Sequence, residues 1–97
     1  MKIPRTIKID CYEIEIIQPV VMDELGTADT THNEIHVCQE QDGRNLKEPV
    51  RTQTFLHEII HHINEIYHLG LTEEQTDILS TKILTTFRDN KLNFLEE

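Results

Sequence analysis

Tryptophan is missing altogether, and two tyrosines and three phenylalanines are all the aromatic residues that 97 positions carry. With 37% apolar residues the core must be modest, since a chain of this length buries only about 60 to 65% of the surface it exposes when unfolded. Residues 1–97 therefore read as a single domain. Basic residues are scarce too: nine lysines and arginines stand against eighteen acids, a formal net charge of −9. That balance excludes nucleic acid as an expected partner, because a phosphate backbone demands basic patches, and it excludes a polybasic membrane-binding surface. No apolar run approaches the ~18 residues of a membrane span, and Met1-Lys2-Ile3-Pro4-Arg5 lacks the hydrophobic stretch of a signal peptide. The expected location is the cytoplasm. Cysteine is limited to Cys11 and Cys38, with no CxxC pair, so neither a zinc ribbon nor a redox motif is available. In a reducing compartment both are expected as free thiols. No repeat, linker or low-complexity segment is found.

Against this spare background one stretch stands out, His57-Glu58-Ile59-Ile60-His61 followed by His62. On a helix, positions i and i+4 lie about 40° apart, so the imidazoles of His57 and His61 project from neighbouring turns toward one point, as two ligands of one metal ion would. Glu58 is displaced by roughly 100°. It therefore sits beside an ion and not on it, where its carboxylate can take a proton from metal-bound water. With six histidines in the chain, an accidental match by composition alone has a probability of roughly 4%. The match gains weight from its setting, a predicted helix with an apolar flank of Phe55, Leu56, Ile59, Ile60, Ile63 and Ile66.

Residues 7–17 alternate in two fragments, Ile7 and Ile9, then Tyr12, Ile14 and Ile16, with Asp10-Cys11 at the break. This predicts two antiparallel strands about a tight turn. Residues 26–33 are small, polar and turn-rich and read as a loop or ragged edge. Glu34 to Gln39 alternates again, Ile35 and Val37 against Glu34, His36 and Cys38, and predicts a half-buried strand. Asp42-Gly43 marks a turn, and Pro49 suits a first helical turn. The helix with the histidines is expected to start between Glu48 and Thr52, to reach His68, and to stop at Gly70. Thr72-Glu73-Glu74-Gln75 has the form of a capping box. A last helix carrying Leu79, Ile83, Leu84 and Phe87 is expected to run to Asp89-Asn90, followed by a tail whose Leu92 and Phe94 could fold back on the core. The order predicts an α+β fold, a small antiparallel sheet of about three strands packed on a pair of helices, a minimal zincin-like arrangement.

Two histidines do not complete a catalytic zinc site, which holds three protein ligands and a water. The metzincin spacing would want a third histidine at position 67, where Tyr67 stands, and a glycine where Asn64 stands. Glu73 to Asp77 has the form ExxxD, with both carboxylates on one helix face. One can ligate, and the other can accept the remaining ring N–H of a ligand histidine. Glu74 competes with Glu73 here, since acids in a first turn are also favoured by the helix dipole.

HEIIHH, followed by an acidic helix start with ExxxD and Leu79-Ser80, resembles the small HExxH metallopeptidase-like proteins encoded by phages and prophages, similar in pattern to the ImmA/IrrE-type zinc metallopeptidases. The opening is similar as well: a basic strand, a Tyr12-containing strand, a loop with Gly26 and Asp29, and the Ile35-His36-Val37 strand. The resemblance spans most of the chain, and only HExxH is specific. It implies zinc held by His57, His61 and Glu73, with Asp77 behind a ligand histidine and Glu58 as general base. On that basis the expected function is zinc-dependent, peptidase-like hydrolysis of a peptide or protein substrate. Glu34 to Gln39, if an exposed edge, would hold an extended peptide by main-chain pairing. Tyr67, His68, His36 and His32 are the candidate oxyanion donors, with the backbone as a further source. An exposed edge could also pair two copies of the chain. The alternative is a phage-encoded interaction module whose zinc is structural or vestigial, which a fourth protein ligand such as His62 or His68 would mark. A third reading is a metal-free helical scaffold.

Overall fold

The computed structural model describes residues 3–92. Ile14 and Ile16 of β2 (Tyr12–Ile17) and Ile35 and Val37 of β4 (Glu34–Val37) form one buried face, the side that the alternation in both segments assigns to the core. Phe55 from α1 (Glu48–Tyr67) completes that core, with Ile7 and Ile9 of β1 (Thr6–Ile9) and Ile59 packed around it. The class is α+β, as the order of elements implied: a sheet with both helices on one side, α1 against it and α2 (Glu73–Asp89) against α1.

The sheet departs from the expected antiparallel three strands. It has four, in the order β1-β2-β4-β3, and β2 runs parallel to β4. The additional strand is β3 (Gly26–Asp29), within the stretch expected to be a loop. It pairs antiparallel with β4, from Gly26 opposite Val37 to Asp29 opposite Glu34. Its Gly-Thr-Ala-Asp sequence shows no apolar alternation because the strand is an edge lying close under α1. A Cβ on Gly26 would come 2.6 Å from Thr54 Cγ2 and 3.0 Å from Glu58 Cγ. Large side chains would not fit, so the period-2 signal on which strand reading depends is absent. The chain reaches β3 through residues 18–25, which lie along the end of β4: the N–H groups of Cys38, Gln39 and Glu40 donate to the carbonyls of Leu25, Pro19 and Val20.

Beyond β4, β5 (Glu40–Gln41) and β6 (Arg44–Asn45) form a small separate hairpin. Asp42 and Gly43 turn it with φ of 54° and 74°, the pair of positive values that a two-residue turn of this hand needs. Cys11 is exposed and Cys38 buried, both as free thiols.

α1 begins at Glu48 with Pro49 in its first turn, and it ends one residue sooner than expected. His68 is the left-handed cap residue, with φ of 54°, and Gly70, with φ of 74°, lies two residues further into the connection. Asn64 then secures the connection to α2: its backbone carbonyl accepts the Leu69 N–H, and its side-chain oxygen accepts the Leu71 N–H at 3.0 Å. The capping box forms as read, the Gln75 N–H donating to Thr72 Oγ1 at 3.1 Å and the Thr72 N–H to Gln75 Oε1 at 2.9 Å.

The face that α2 turns inward differs from the apolar one expected. Thr76 and Ser80 are fully buried, while Leu79 and Ile83 remain 41% and 36% exposed. Small hydroxyl residues allow the two helices to approach, and Gln53 Nε2 donates to both Ser80 Oγ and Thr81 Oγ1 at 3.1 Å. Leu92 is exposed, and Phe94 lies outside the described residues. Among the described residues no helix is long and apolar enough to cross a membrane.

Candidate metal centre

His57 and His61 occupy consecutive turns of α1 on the side facing the start of α2. Their rings stand 4.6 Å apart, centroid to centroid, in an edge-to-face arrangement. The capping box and the Asn64 bonds fix where α2 begins, and its first residue, Glu73, is brought over both rings. The ring N–H at His57 Nε2 donates to Glu73 Oε1 at 2.8 Å, and Glu73 Oε2 lies 2.9 Å from His61 Nε2. One nitrogen from each histidine and one carboxylate oxygen lie within 4.8 Å of one another, so the three residues could hold a metal ion. Two imidazoles and a carboxylate make a donor set that suits zinc among several divalent ions and leaves one of four positions for water or a ligand. Glu74, the competing acid, is exposed at the same helix start and is not in this group. Asp77 is on the same face of α2 as Glu73, with its Oδ1 3.6 Å from His57 Nδ1, just beyond hydrogen-bond length.

Glu58 does not join the group. It is only 7% exposed and lines the same cavity as His57 and His61, about 360 Å³ in volume. Burial pushes its carboxyl up from 4.5 to about 7; nearby His57 opposes the rise, and Glu73 and Glu24 reinforce it. A carboxylate that holds and releases its proton near neutrality is suited to general acid–base work. A larger hollow of about 700 Å³ between Arg5, Glu13, Glu15 and His32 contains none of these groups.

His62, a candidate fourth ligand, is turned about 100° away from His61. It is fully buried, and neither ring nitrogen has a hydrogen-bond partner among the described residues. Burial lowers its pKa, with Glu65 and Asp29 acting in the opposite direction. His68 is exposed at the end of α1. Among the described residues, neither histidine belongs to the group. The four candidate oxyanion donors are also elsewhere: Tyr67, His68, His36 and His32 line neither the cavity beside the group nor the smaller one continuing it toward Leu25 and Gln53. His36 sits on the sheet face opposite Ile35 and Val37, 3.6 Å from Glu34. His32 is paired with Asp29 at 2.8 Å, a contact that raises the histidine and lowers the carboxyl.

The strand beside the group is not the one expected. β4 is paired on both sides, with β2 and with β3, so it has no free edge for a peptide. Of the sheet's two edge strands, β1 and β3, it is β3 that borders the group, and its Gly26, Thr27 and Ala28 line the cavity together with Glu24 and Glu65. Sequence reasoning did not find this wall. Glu65 was accessible to it, as the next step of the 57, 61, 65 helical face, and an isolated glycine is a signal for close backbone approach. No family model, curated protein or solved structure matches the chain.

Proposed function

We propose that the protein is a zinc-dependent, peptidase-like hydrolase of the small phage-encoded HExxH kind, acting on a peptide or protein in the cytoplasm. The observation that carries this reading is the position of Glu73, whose carboxylate oxygens lie 2.8 and 2.9 Å from the Nε2 atoms of both HExxH histidines, beside the buried Glu58. His57, His61 and Glu73 would hold the ion. Zinc held there would lower the pKa of a bound water to about 7 and would polarise a carbonyl. Glu58 then takes the proton of the attacking water and delivers it to the leaving amine, a transfer for which its raised pKa is suited. Asp77, 3.6 Å from His57 Nδ1, would accept that ring N–H after a small approach and so steady the ring. The free edge of β3 supplies main-chain donors and acceptors to an extended segment lying over the group, and the same edge is where a second copy of the chain would pair.

The test is hydrolysis of a mixed peptide library by zinc-loaded protein, followed by mass spectrometry. Cleavage that is lost in Glu58→Gln, with zinc content unchanged, is the expected result. Full zinc occupancy with no cleavage under any condition would favour the alternative, an interaction module with a structural ion.

A further inference from the structure

The cavity beside the metal group has more acid than its chemistry uses. Among the described residues four carboxylates line it, Glu24, Glu58, Glu65 and Glu73, and no lysine or arginine does. Glu73 is engaged by the two histidines and Glu58 sits beside them. Glu24 and Glu65 have no such role, and they stand at opposite ends of the free edge. Glu24 is exposed two residues before β3 begins. Glu65, one turn beyond His61 on α1, is tied to the other end by Thr30 Oγ1, which donates to its Oε1 at 2.8 Å. That bond fixes the carboxylate and leaves Oε2 for another donor. β3 itself, Gly26–Asp29, covers about 10 Å of extended chain, and Glu24 and Thr30 bracket it, so a peptide of about six residues lying along β3 reaches both acids. The buried Glu58, 7% exposed, points into the same groove, and no hydrogen bond to its carboxylate is found among the described residues. The groove is thus a built site, more than an acidic surface patch.

We propose that this groove selects extended segments carrying lysine or arginine on both sides of the residue facing the His57–His61–Glu73 group, with Glu24 and Glu65 as the two specificity-determining acids. The inference rests on the reading of the β3 edge as the substrate site. Each contact is solvent-facing, so each acid is expected to contribute about two- to five-fold in affinity.

Binding separates this proposal from the hydrolase reading. Labelled hexapeptides, identical except for two lysines or two acetyl-lysines flanking the centre, are titrated by fluorescence anisotropy against zinc-loaded Glu58→Gln protein. The lysine peptide should bind about ten-fold tighter. The added pair Glu24→Gln and Glu65→Gln, which keeps the acceptor for Thr30, should remove most of that preference. Glu13→Gln with Asp42→Asn makes the same change in net charge away from the groove and should keep it. Equal binding of the two peptides, no binding of either, or equal loss in the control pair would overturn the proposal. Wild-type cleavage of the same peptides is read separately. Lysine peptides that bind selectively and stay intact would count against hydrolysis alone, and cleavage indifferent to charge would overturn the basic selectivity alone.

Discussion

Replacing Glu58 by glutamine should stabilise the metal-free protein at alkaline pH and leave it unchanged at acid pH. Burial holds the Glu58 carboxyl near 7 in the folded state against 4.5 when unfolded. Below about pH 4.5 both states are protonated and no penalty arises. As pH rises from there the unfolded chain ionises first while the folded one keeps its proton, so stability falls until pH passes about 7 and then levels. The interval between the two values sets a ceiling of about 3 kcal/mol, at 1.36 kcal/mol per pH unit. Water at the mouth of the cavity screens part of it, and about 2 kcal/mol is the working figure. Glutamine has the same shape and no charge to desolvate, so Glu58→Gln should recover that amount. For a domain of this size the gain is roughly 10 °C in Tm. Thermal melts of both proteins in excess chelator at pH 4.5 and pH 8.5 are the assay. Equal Tm differences at the two pH values, or a loss of stability at pH 8.5, would refute the claim that Glu58 is held in a desolvating position.

Four further outcomes follow from the geometry. Glu73→Ala should abolish tight zinc binding in a competition titration while Glu74→Ala leaves it nearly intact, and Asp77→Ala should cost about 10- to 100-fold, as is usual for a group supporting a ligand histidine. If Glu74 proves the damaging position, the third ligand has been placed one residue off. Because the ion would join α1 to α2, chelation should lower the melting temperature of zinc-loaded protein by several degrees, and an unchanged melt would remove the metal from the account of stability. Gly26→Ala should destabilise by about 1 to 3 kcal/mol through the 2.6 Å approach to Thr54 Cγ2, and Thr54→Ser, which deletes that methyl group and keeps the hydroxyl, should restore part of the loss in denaturant unfolding. Asn64→Ala should weaken zinc binding without touching a ligand, since it frees the connection that sets Glu73 over the histidines; unchanged affinity would show that the Thr72 cap suffices alone.

How much of this was legible in the sequence depends on which residues carry a periodic signal. The i, i+4 histidines, the alternation at Ile14, Ile16, Ile35 and Val37, and the Thr72 capping box each report a local geometry that tertiary contacts did not override. β3 was not legible, because what fixes it is the lack of side-chain volume beneath α1 and not an apolar pattern. The expectation of a wholly antiparallel sheet followed from that omission: β3 takes the chain back across so that β4 lies parallel to β2. α2 misled in the opposite direction. Leu79 and Ile83 give it an apolar stripe, yet the close approach to α1 is made by Thr76 and Ser80 with hydrogen bonds from Gln53. At the site, the choice of Glu73 over Glu74 depends on how the 68–72 connection is held, which Asn64 does through contacts that no spacing rule encodes.

The most direct measurement is a crystal structure of the zinc-loaded protein with the ion located by its anomalous signal. One zinc is expected about 2.0 to 2.2 Å from nitrogens of His57 and His61 and from a Glu73 oxygen, with a water in the remaining position within hydrogen-bond reach of Glu58. An ion bound elsewhere, or a fourth protein ligand in the place of that water, would contradict this expectation.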